Sequence, residues 1–282
     1  MSLEVRYDAL IPQEMAEKAE AAGVRKAALP ILSMFALAML AGAFIGLGAM
    51  FATTTGAAAS SLPYGVGRLL VGLSFCLGLI LVVVAGAELF TGNNLLVMAW
   101  ASRKISTWAL LRNWLVVYLG NFVGSLATAA LVFLSKQYTA GAGSVGEAAL
   151  KTAVSKVSLG FVQALALGVL CNVLVCLAVW LAYSGRSVTD KIMAILFPIT
   201  AFVAAGFEHS VANMYFIPYA LFIKAFDPAF AVAHKIDLSS LTWGAFFLKN
   251  LLPVTLGNIL GGSLLVAGMY WFIYLRKPKS QQ

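Results

Sequence analysis

Six long apolar stretches dominate this chain and restrict it to folds that lie in a membrane. A helix needs about 20 residues to cross the hydrocarbon core. Only 11% of the 282 residues are charged, whereas soluble domains carry about 25%. We predict an all-α integral membrane protein with one six-helix domain in 27–276, a helix in 1–26 before it and a short tail, 277–282, after it. The stretches are Ala27–Thr53, Leu69–Trp100, Trp108–Leu134, Val157–Tyr183, Ile192–Ile223 and Trp243–Tyr274.

One eight-residue motif occurs twice, in the second and the fifth of these stretches. Gly86–Asn93 and Gly206–Asn213 both follow the pattern G-x-E-x-x-x-x-N. An ionisable side chain in lipid-spanning sequence is costly, so it marks a functional site by default. Each of the two stretches has about 32 residues, which is too long for one straight membrane helix. We therefore predict that helices 2 and 5 are each broken near the motif, as in transport proteins with discontinuous helices.

A second repeat relates the third stretch to the sixth. Asn113 is followed by LGNFVG at 119–124, and Asn250 is followed by LGNILG at 256–261. Each half of the chain then has three membrane helices, and an odd number forces the second half to insert upside down. The sequence thus predicts two inverted three-helix repeats. In both hexapeptides, two glycines four residues apart allow helices to approach closely.

Charges and cysteines outside these motifs indicate orientation and exclude some partners. Lys and Arg are more frequent in the two terminal segments, and in the loops on their side, than in the opposite loops. This bias places both termini in the cytoplasm. Basic loops also explain the net charge of +8, so no nucleic acid is expected as a partner. Cys76, Cys171 and Cys176 lie in apolar stretches and are interpreted as packing residues, so no metal or cofactor is expected.

Pro12–Ala28 has the pattern of an amphipathic helix that lies at the membrane surface. Its small and apolar residues are predicted to face the membrane, and its charged residues are predicted to face water. A solvated lead-in helix is the alternative. The apolar group comprises Met15, Ala19, Ala22 and Val24, and the charged group comprises Glu14, Glu17, Lys18 and Glu20.

His209, in the second motif, is the histidine that lies within a membrane stretch. Histidine changes its charge near neutral pH when its environment permits. Thr91, next to Gly92 in the first motif, is expected to point its hydroxyl into the gap opposite His209. Hydrogen-bonded packing is the alternative role for the histidine.

Glu88 and Glu208 are predicted to accept hydrogen bonds from the backbone N–H groups that a broken helix exposes. Direct contact with a substrate is the alternative. Asn93 and Asn213 end the two motifs and are predicted to be structural residues of the breaks.

Large apolar rings near the breaks predict hydrophobic constrictions that exclude water and ions. Phe75, Phe90 and Phe202 are the candidates. Lys156 lies at the start of the fourth stretch, where it either draws anions toward an outer vestibule or anchors a helix end. Asn172 lies in the middle of the same stretch.

Four segments of the chain resemble the formate–nitrite transporter family, in the family's order. The resemblance extends from the N-terminal helix to Tyr274, and Tyr183–Ser187 and Tyr270–Arg276 look like its formate-channel branch. It implies an aquaporin-like homopentamer in the bacterial inner membrane, surrounded by lipid, with one pore in each protomer. The four segments are Glu88–Asn93, Cys171–Ala178, Gly206–Met214 and Pro253–Asn258.

The resemblance also implies roles for individual residues. The family's central histidine and loop threonine correspond to His209 and Thr91, and its vestibule positions correspond to Asn172 and Lys156. The loop after the second helix is implied to gate the cytoplasmic side with a neighbour's N-terminal helix. That helix is implied to meet a formate-producing enzyme of the pyruvate formate-lyase type. The outer constriction corresponds to Phe75, Leu79 and Phe202, and the inner one to Leu89, Phe90 and Val175.

The expected function is pH-dependent movement of formate and related small weak-acid anions, not enzymatic catalysis. A bare carboxylate in a dry constriction is costly; either a cationic His209 offsets this cost, or His209 donates a proton so that neutral formic acid crosses. A neutral-solute channel is less favoured because the chain lacks paired Asn-Pro-Ala. A serine protease is disfavoured because Ser210 and His209 are adjacent, about 100° apart on a helix. Nitrite, hydrosulfide, acetate and lactate remain alternatives to formate.

Overall fold

The computed structural model describes residues 8–57 and 59–276; the tail predicted at 277–282 lies outside them. Among the described residues, six helices are long and apolar enough to span a membrane, which confirms the predicted all-α membrane fold: Ile31–Gly56, Tyr64–Gly86, Thr107–Leu134, Phe161–Ser184, Val188–Ala205 and Trp243–Leu275. The α-helical elements are α1 (Pro12–Ala27), α2 (Ile31–Gly56), α3 (Tyr64–Gly86), α4 (Val97–Ala101), α5 (Thr107–Leu134), α6 (Ser144–Val157), α7 (Phe161–Ser184), α8 (Val188–Ala205), α9 (Ser210–Phe226), α10 (Pro228–Ala233) and α11 (Trp243–Leu275).

The second and fifth apolar stretches are broken at the repeated motif, as predicted. Gly86 (φ +85°) is the last residue of α3 and Gly206 (φ +76°) follows α8. Both are in the left-handed conformation, which glycine adopts without the steric cost of a Cβ. The chain resumes as a 3-10 helix, Gly92–Leu96, that leads into α4, and as α9. The sixth stretch is equally long but forms one continuous helix, α11. The motif, and not the length of the stretch, therefore determines the break.

Two buried asparagines hold the breaks in the same way in both halves of the chain. Asn121 Oδ1 accepts the Phe90 N–H at 2.9 Å, and its Nδ2 donates to the carbonyls of Ala38 (2.8 Å) and Glu88 (2.9 Å). The bonds to Phe90 and Glu88 satisfy backbone groups that the break takes out of helical pairing, and the bond to Ala38 ties the break to α2. Asn258 repeats them at the second break, with the N–H of Ser210 (2.9 Å) and the carbonyls of Gly168 (2.8 Å) and Glu208 (3.0 Å).

The glycines of the two hexapeptides bring helix backbones together. A Cβ on Gly124 would lie 1.9 Å from the Met39 carbonyl oxygen, and one on Gly261 would lie 2.2 Å from that of Val169. Backbone atoms cannot move away as a flexible side chain can, so both positions require glycine. The small-x-x-x-small spacing therefore produces the close contacts of α5 with α2 and of α11 with α7.

Helix α1 packs against the rest of the chain, which corrects its predicted membrane-facing orientation. Met15, Ala16 and Ala19 are buried in a cluster with Leu95 and Met98, beyond the first break. Glu20, predicted to face water, is also buried and forms an ion pair with Lys104. The small residues of α1 are used for close packing over the first break, a tertiary contact that an amphipathic pattern does not distinguish from membrane contact.

Candidate functional site

Two cavities of about 440 and 450 Å³ adjoin the two breaks. We call the first the α1 vestibule, because Gly23 and Lys26 of α1 line it together with Glu88. The second is the α6 vestibule, lined by Lys156 of α6 and by Glu208. The described residues that line one cavity do not line the other. Each half of the chain therefore contributes one vestibule, one break and one amphipathic helix.

A single side-chain hydrogen bond joins the two breaks between the vestibules. Thr91 Oγ1 lies 2.9 Å from His209 Nε2. Thr91 is completely buried, and His209 is buried but contributes to the lining of the α6 vestibule. The hydroxyl thus faces the imidazole, as expected from the sequence.

The second ring nitrogen of His209 fixes its tautomer. The imidazole caps the start of α9, where Nδ1 accepts the backbone N–H of Ala212 at 3.0 Å. A nitrogen that accepts a hydrogen bond carries no proton, so the neutral ring holds its proton on Nε2 and donates it to Thr91. A cationic ring would lose the capping bond, because both of its nitrogens are then donors.

A buried polar network lines the α1 vestibule. Lys26 Nζ lies 2.9 Å from both Glu88 Oε1 and Asn93 Oδ1. Asn93 Nδ2 donates to Glu88 Oε2 at 2.7 Å and to Asn113 Oδ1 at 3.0 Å. Asn113 Nδ2 completes the network by donating a hydrogen bond to the Lys26 carbonyl at 3.3 Å.

The α6 vestibule repeats this network residue for residue. Lys156 Nζ lies 2.8 Å from Glu208 Oε1. Glu208 Oε2 accepts from Asn213 Nδ2 (2.7 Å) and from Asn250 Nδ2 (3.1 Å), and Asn250 also donates to the Lys156 carbonyl at 3.0 Å. The repeat thus includes α1 and α6 as well as the three membrane segments of each half.

These contacts correct the predicted capping role of Glu88 and Glu208. The contacts found for the two carboxylates are with a lysine ammonium and asparagine amides. The predicted backbone partners are bound instead by Asn121, Asn258 and His209. A carboxylate buried in apolar surroundings is stabilised far more by a cation than by a neutral N–H group.

Phe75 and Phe202, two of the residues predicted to form a constriction, lie together beside the α6 vestibule. Phe75 packs edge-on against Phe202, with ring centroids 5.6 Å apart, and Phe202 stacks on the His209 ring at 5.9 Å. Phe216, which the sequence argument did not single out, stacks on Phe75 at 6.4 Å and lines the vestibule.

Leu79 belongs to the other side of the pathway. It was expected at the constriction with Phe75 and Phe202, but it lines the α1 vestibule together with Leu89. Leu79 lies one helical turn beyond Phe75 on α3, and this turn carries it past the constriction toward the first break.

Three further expected pathway residues lie behind the cavity walls. Phe90 is buried against Tyr118 and Trp114, with ring centroids 4.9 and 6.2 Å away, and Val175 is buried in the core. Asn172 is completely buried and donates to the Thr91 carbonyl at 3.2 Å. It therefore positions Thr91 rather than lining a vestibule.

Sequence reasoning missed Lys26, Asn113 and Asn250 as members of the site. Asn113 and Asn250 open the second repeat, which was used only to align the halves. Lys26 is the penultimate residue of α1, and Lys156 is the penultimate residue of α6. An amphipathic helix ending in lysine before each half was therefore the available signal.

Basic residues gather near the α1 vestibule. Lys18 donates to the carbonyl of Tyr183, a lining residue, at 2.7 Å. Burial lowers the pKa of Lys18, and the neighbouring cations Lys191, Arg186 and Arg25 lower it further. Of these cations, Arg25 belongs to the lining of the α1 vestibule, whereas Lys18, Arg186 and Lys191 lie outside it. In residues 8–57 and 59–276, no group of His, Cys, Asp and Glu has an arrangement that could hold a metal ion.

Comparisons with known proteins give one consistent family. The family model described as formate/nitrite transporter matches residues 13–272. The formate channel FocA of Escherichia coli strain K12 is 46% identical over 275 residues, which cover 96% of each chain. The solved structure described as a pentameric formate channel with formate bound has a TM-score of 0.82 and 45% identity, covering 87% of this chain and 98% of that one. An FNT family ion channel has a TM-score of 0.79 and 31% identity, covering 94% and 99%.

Proposed function

The chain belongs to the formate/nitrite transporter family, and from this premise we propose that it conducts formate and related small weak-acid anions across a membrane. The family and its named relatives are channels and transporters, so the chain is a multi-pass membrane transport protein and not an enzyme. The Thr91–His209 bond between the two vestibules carries the proposal. It is the point at which a solute leaving one vestibule must meet a titratable group before it reaches the other.

The proposed mechanism uses the vestibules to gather the anion and His209 to neutralise it. Lys26 and Lys156 are each paired with a glutamate, but Arg25 also lines the α1 vestibule, and Arg68 and Lys151 also line the α6 vestibule. The resulting excess of positive charge raises the local concentration of anions. Between the vestibules, the apolar rings make passage of a bare carboxylate costly. A protonated His209 transfers one proton to a carboxylate oxygen, so that an N–H bond of the ring breaks and the O–H bond of formic acid forms; the ring is left neutral, and formic acid crosses without charge. The Thr91 hydroxyl holds the His209 ring and the substrate in the positions that this proton transfer requires.

The test of this function is formate flux into proteoliposomes of the purified protein at neutral and acidic pH. We expect saturable formate uptake that changes with pH, with nitrite, hydrosulfide and glycerol measured in the same vesicles. Glycerol flux without anion flux would support a neutral-solute channel instead. Hydrosulfide or nitrite flux with little formate movement would keep the fold and reassign the substrate.

The assembly and location proposed for the chain follow from its relatives. The related formate channel is described as pentameric, and we propose a homopentamer with one pore per protomer here as well. Exposed apolar side chains on the membrane helices, such as Leu131 and Phe197, supply surface for lipid and for neighbouring protomers. We propose a bacterial inner-membrane location because the related FocA is a bacterial channel. The bias of Lys and Arg supports an orientation with both termini in the cytoplasm.

We propose that α1 and the first break gate the cytoplasmic side at low pH. The Lys26–Glu88 pair is the polar link between them, and the exposed face of α1, with Glu17 and Lys18, is the proposed contact for a pyruvate formate-lyase-type enzyme. Lys26→Met leaves the packed face of α1 intact and should weaken the acid-induced decrease in flux. Removal of 1–26 should abolish both this decrease and co-purification with the lyase. An unchanged pH response in both variants would refute gating by α1.

A further inference from the structure

Arg68, on α3, binds the broken end of α8. Its Nε donates to the Ala204 carbonyl at 2.9 Å, and its Nη2 donates to the Val203 carbonyl. Both carbonyls belong to the last turn of α8, before the left-handed Gly206. The fixed fork of a guanidinium suits two neighbouring acceptors, which a lysine ammonium matches less well. Arg68 also lines the α6 vestibule, together with Phe202.

Without Arg68, the C-terminal end of α8 would repel an anion. A helix C-terminus carries the equivalent of about half a negative charge on its unpaired carbonyl groups. The backbone N–H groups beyond the break donate to Phe202 and Val203. The Ala204 carbonyl therefore takes its hydrogen bond from Arg68. The full positive charge of the guanidinium exceeds the partial negative charge of the helix end.

The matching end of α3 in the α1 vestibule lacks such a cation. The Val82 carbonyl accepts the Ala87 N–H at 3.0 Å. Within 8–57 and 59–276, no side chain donates to the carbonyl of Val83 or Val84. The two vestibules consequently differ in charge despite their mirrored networks. The charged residues that line the α6 vestibule are Arg68, Lys151, Lys156 and Glu208, and those that line the α1 vestibule are Arg25, Lys26 and Glu88.

We propose that Arg68 is a positioning residue that neutralises the C-terminal end of α8 and makes the α6 vestibule the stronger collector of substrate anions. The inference rests on the proposed conduction of formate. It concerns the half-saturating formate concentration on each side of the membrane. It does not imply net flux at equilibrium, where the two opposing fluxes are equal. Anions arriving at the α6 vestibule should be captured at lower concentration, and with greater sensitivity to salt, than anions arriving at the α1 vestibule.

The experiment measures initial formate flux from each side in vesicles of one insertion orientation, sorted by protease access to a tag before α1. In Arg68→Gln the half-saturating formate concentration on the α6 side should rise about three- to tenfold at low ionic strength. The rise should disappear at about 1 M salt, where the Debye length is only about 3 Å. The value on the α1 side should stay within about twofold. Arg68→Lys retains the charge and should recover most of the affinity.

Lys235→Gln is the matched control, because Lys235 is an exposed cation in the loop after α10, outside the cavity lining. It should leave both half-saturating concentrations unchanged. Two results for Arg68→Gln would show that Arg68 is only a structural cap. One is an equal change of the half-saturating concentration on both sides. The other is a loss of affinity that Arg68→Lys does not restore and that salt does not affect. If Arg68→Gln does not fold, the test is made on the wild-type protein. An equal salt dependence of the half-saturating formate concentration on the two sides would then overturn the proposal. Wild-type vesicles without formate flux would instead refute the proposed function.

Discussion

Replacing His209 with asparagine should abolish the pH dependence of formate flux and lower the rate by about 100-fold, the scale of a lost general acid. Asparagine is a good N-cap residue, so its side chain can still accept the Ala212 N–H that now binds Nδ1. The start of α9 is thereby preserved. What the variant loses is a group that can carry a proton between the vestibules. Flux would be measured in proteoliposomes across the range from acidic to neutral pH.

The control for this variant is Ser210→Ala. Ser210 is the next residue, equally buried, and its hydroxyl has no hydrogen-bond partner among the described residues. Its removal should leave both the rate and the pH profile unchanged. If His209→Asn transported formate with the wild-type pH profile, proton donation by His209 would be refuted and electrostatic pairing in the vestibules would have to carry the mechanism.

The sequence was sufficient for the architecture because its signals are local and repeated. Both breaks were predicted from the G-x-E-x-x-x-x-N motifs together with the length of their stretches. Length alone does not predict a break, since α11 is equally long and unbroken. The sequence also indicated that Thr91 and His209 lie opposite each other, because each residue is within a few positions of a break. These features depend on short segments of chain whose chemistry can be judged in isolation.

The wall of the pathway could not be predicted in the same way. Whether an apolar ring lines a cavity or packs behind it depends on the rotation of its segment against distant helices. Phe90 was expected in the pathway but packs on Tyr118 of α5, whereas Phe216 of α9 was missed. The partners of Glu88 and Glu208 likewise come from α1 and α6, which are remote in sequence. The lysine in the last turn of α1 and of α6 was the available signal, but an amphipathic pattern does not show which distant carboxylate such a lysine meets.

The second large effect is expected from breaking one of the mirrored ion pairs. Lys156→Met should destabilise the protein by about 3 kcal/mol, because removal of one partner leaves a buried charge uncompensated. For a chain of this size this corresponds to a decrease in Tm of about 6 °C or more. Lys26→Met should cost clearly less. The side chain of Lys26 is 29% exposed against 14% for Lys156, so water partly replaces the lost ammonium at Glu88.

The double variant Lys156→Met/Glu208→Gln separates the lost charge from the lost packing. Glutamine keeps an acceptor oxygen for Asn213 and Asn250 but has no charge to leave unpaired, so most of the lost stability should return. Formate capture from the α6 side should not return, because the vestibule still lacks the ammonium. Thermal unfolding and flux measured on the same preparations thus give opposite results for the double variant. If stability and flux recovered together, the ammonium itself would not be needed to gather anions, and that proposed role of Lys156 would be wrong.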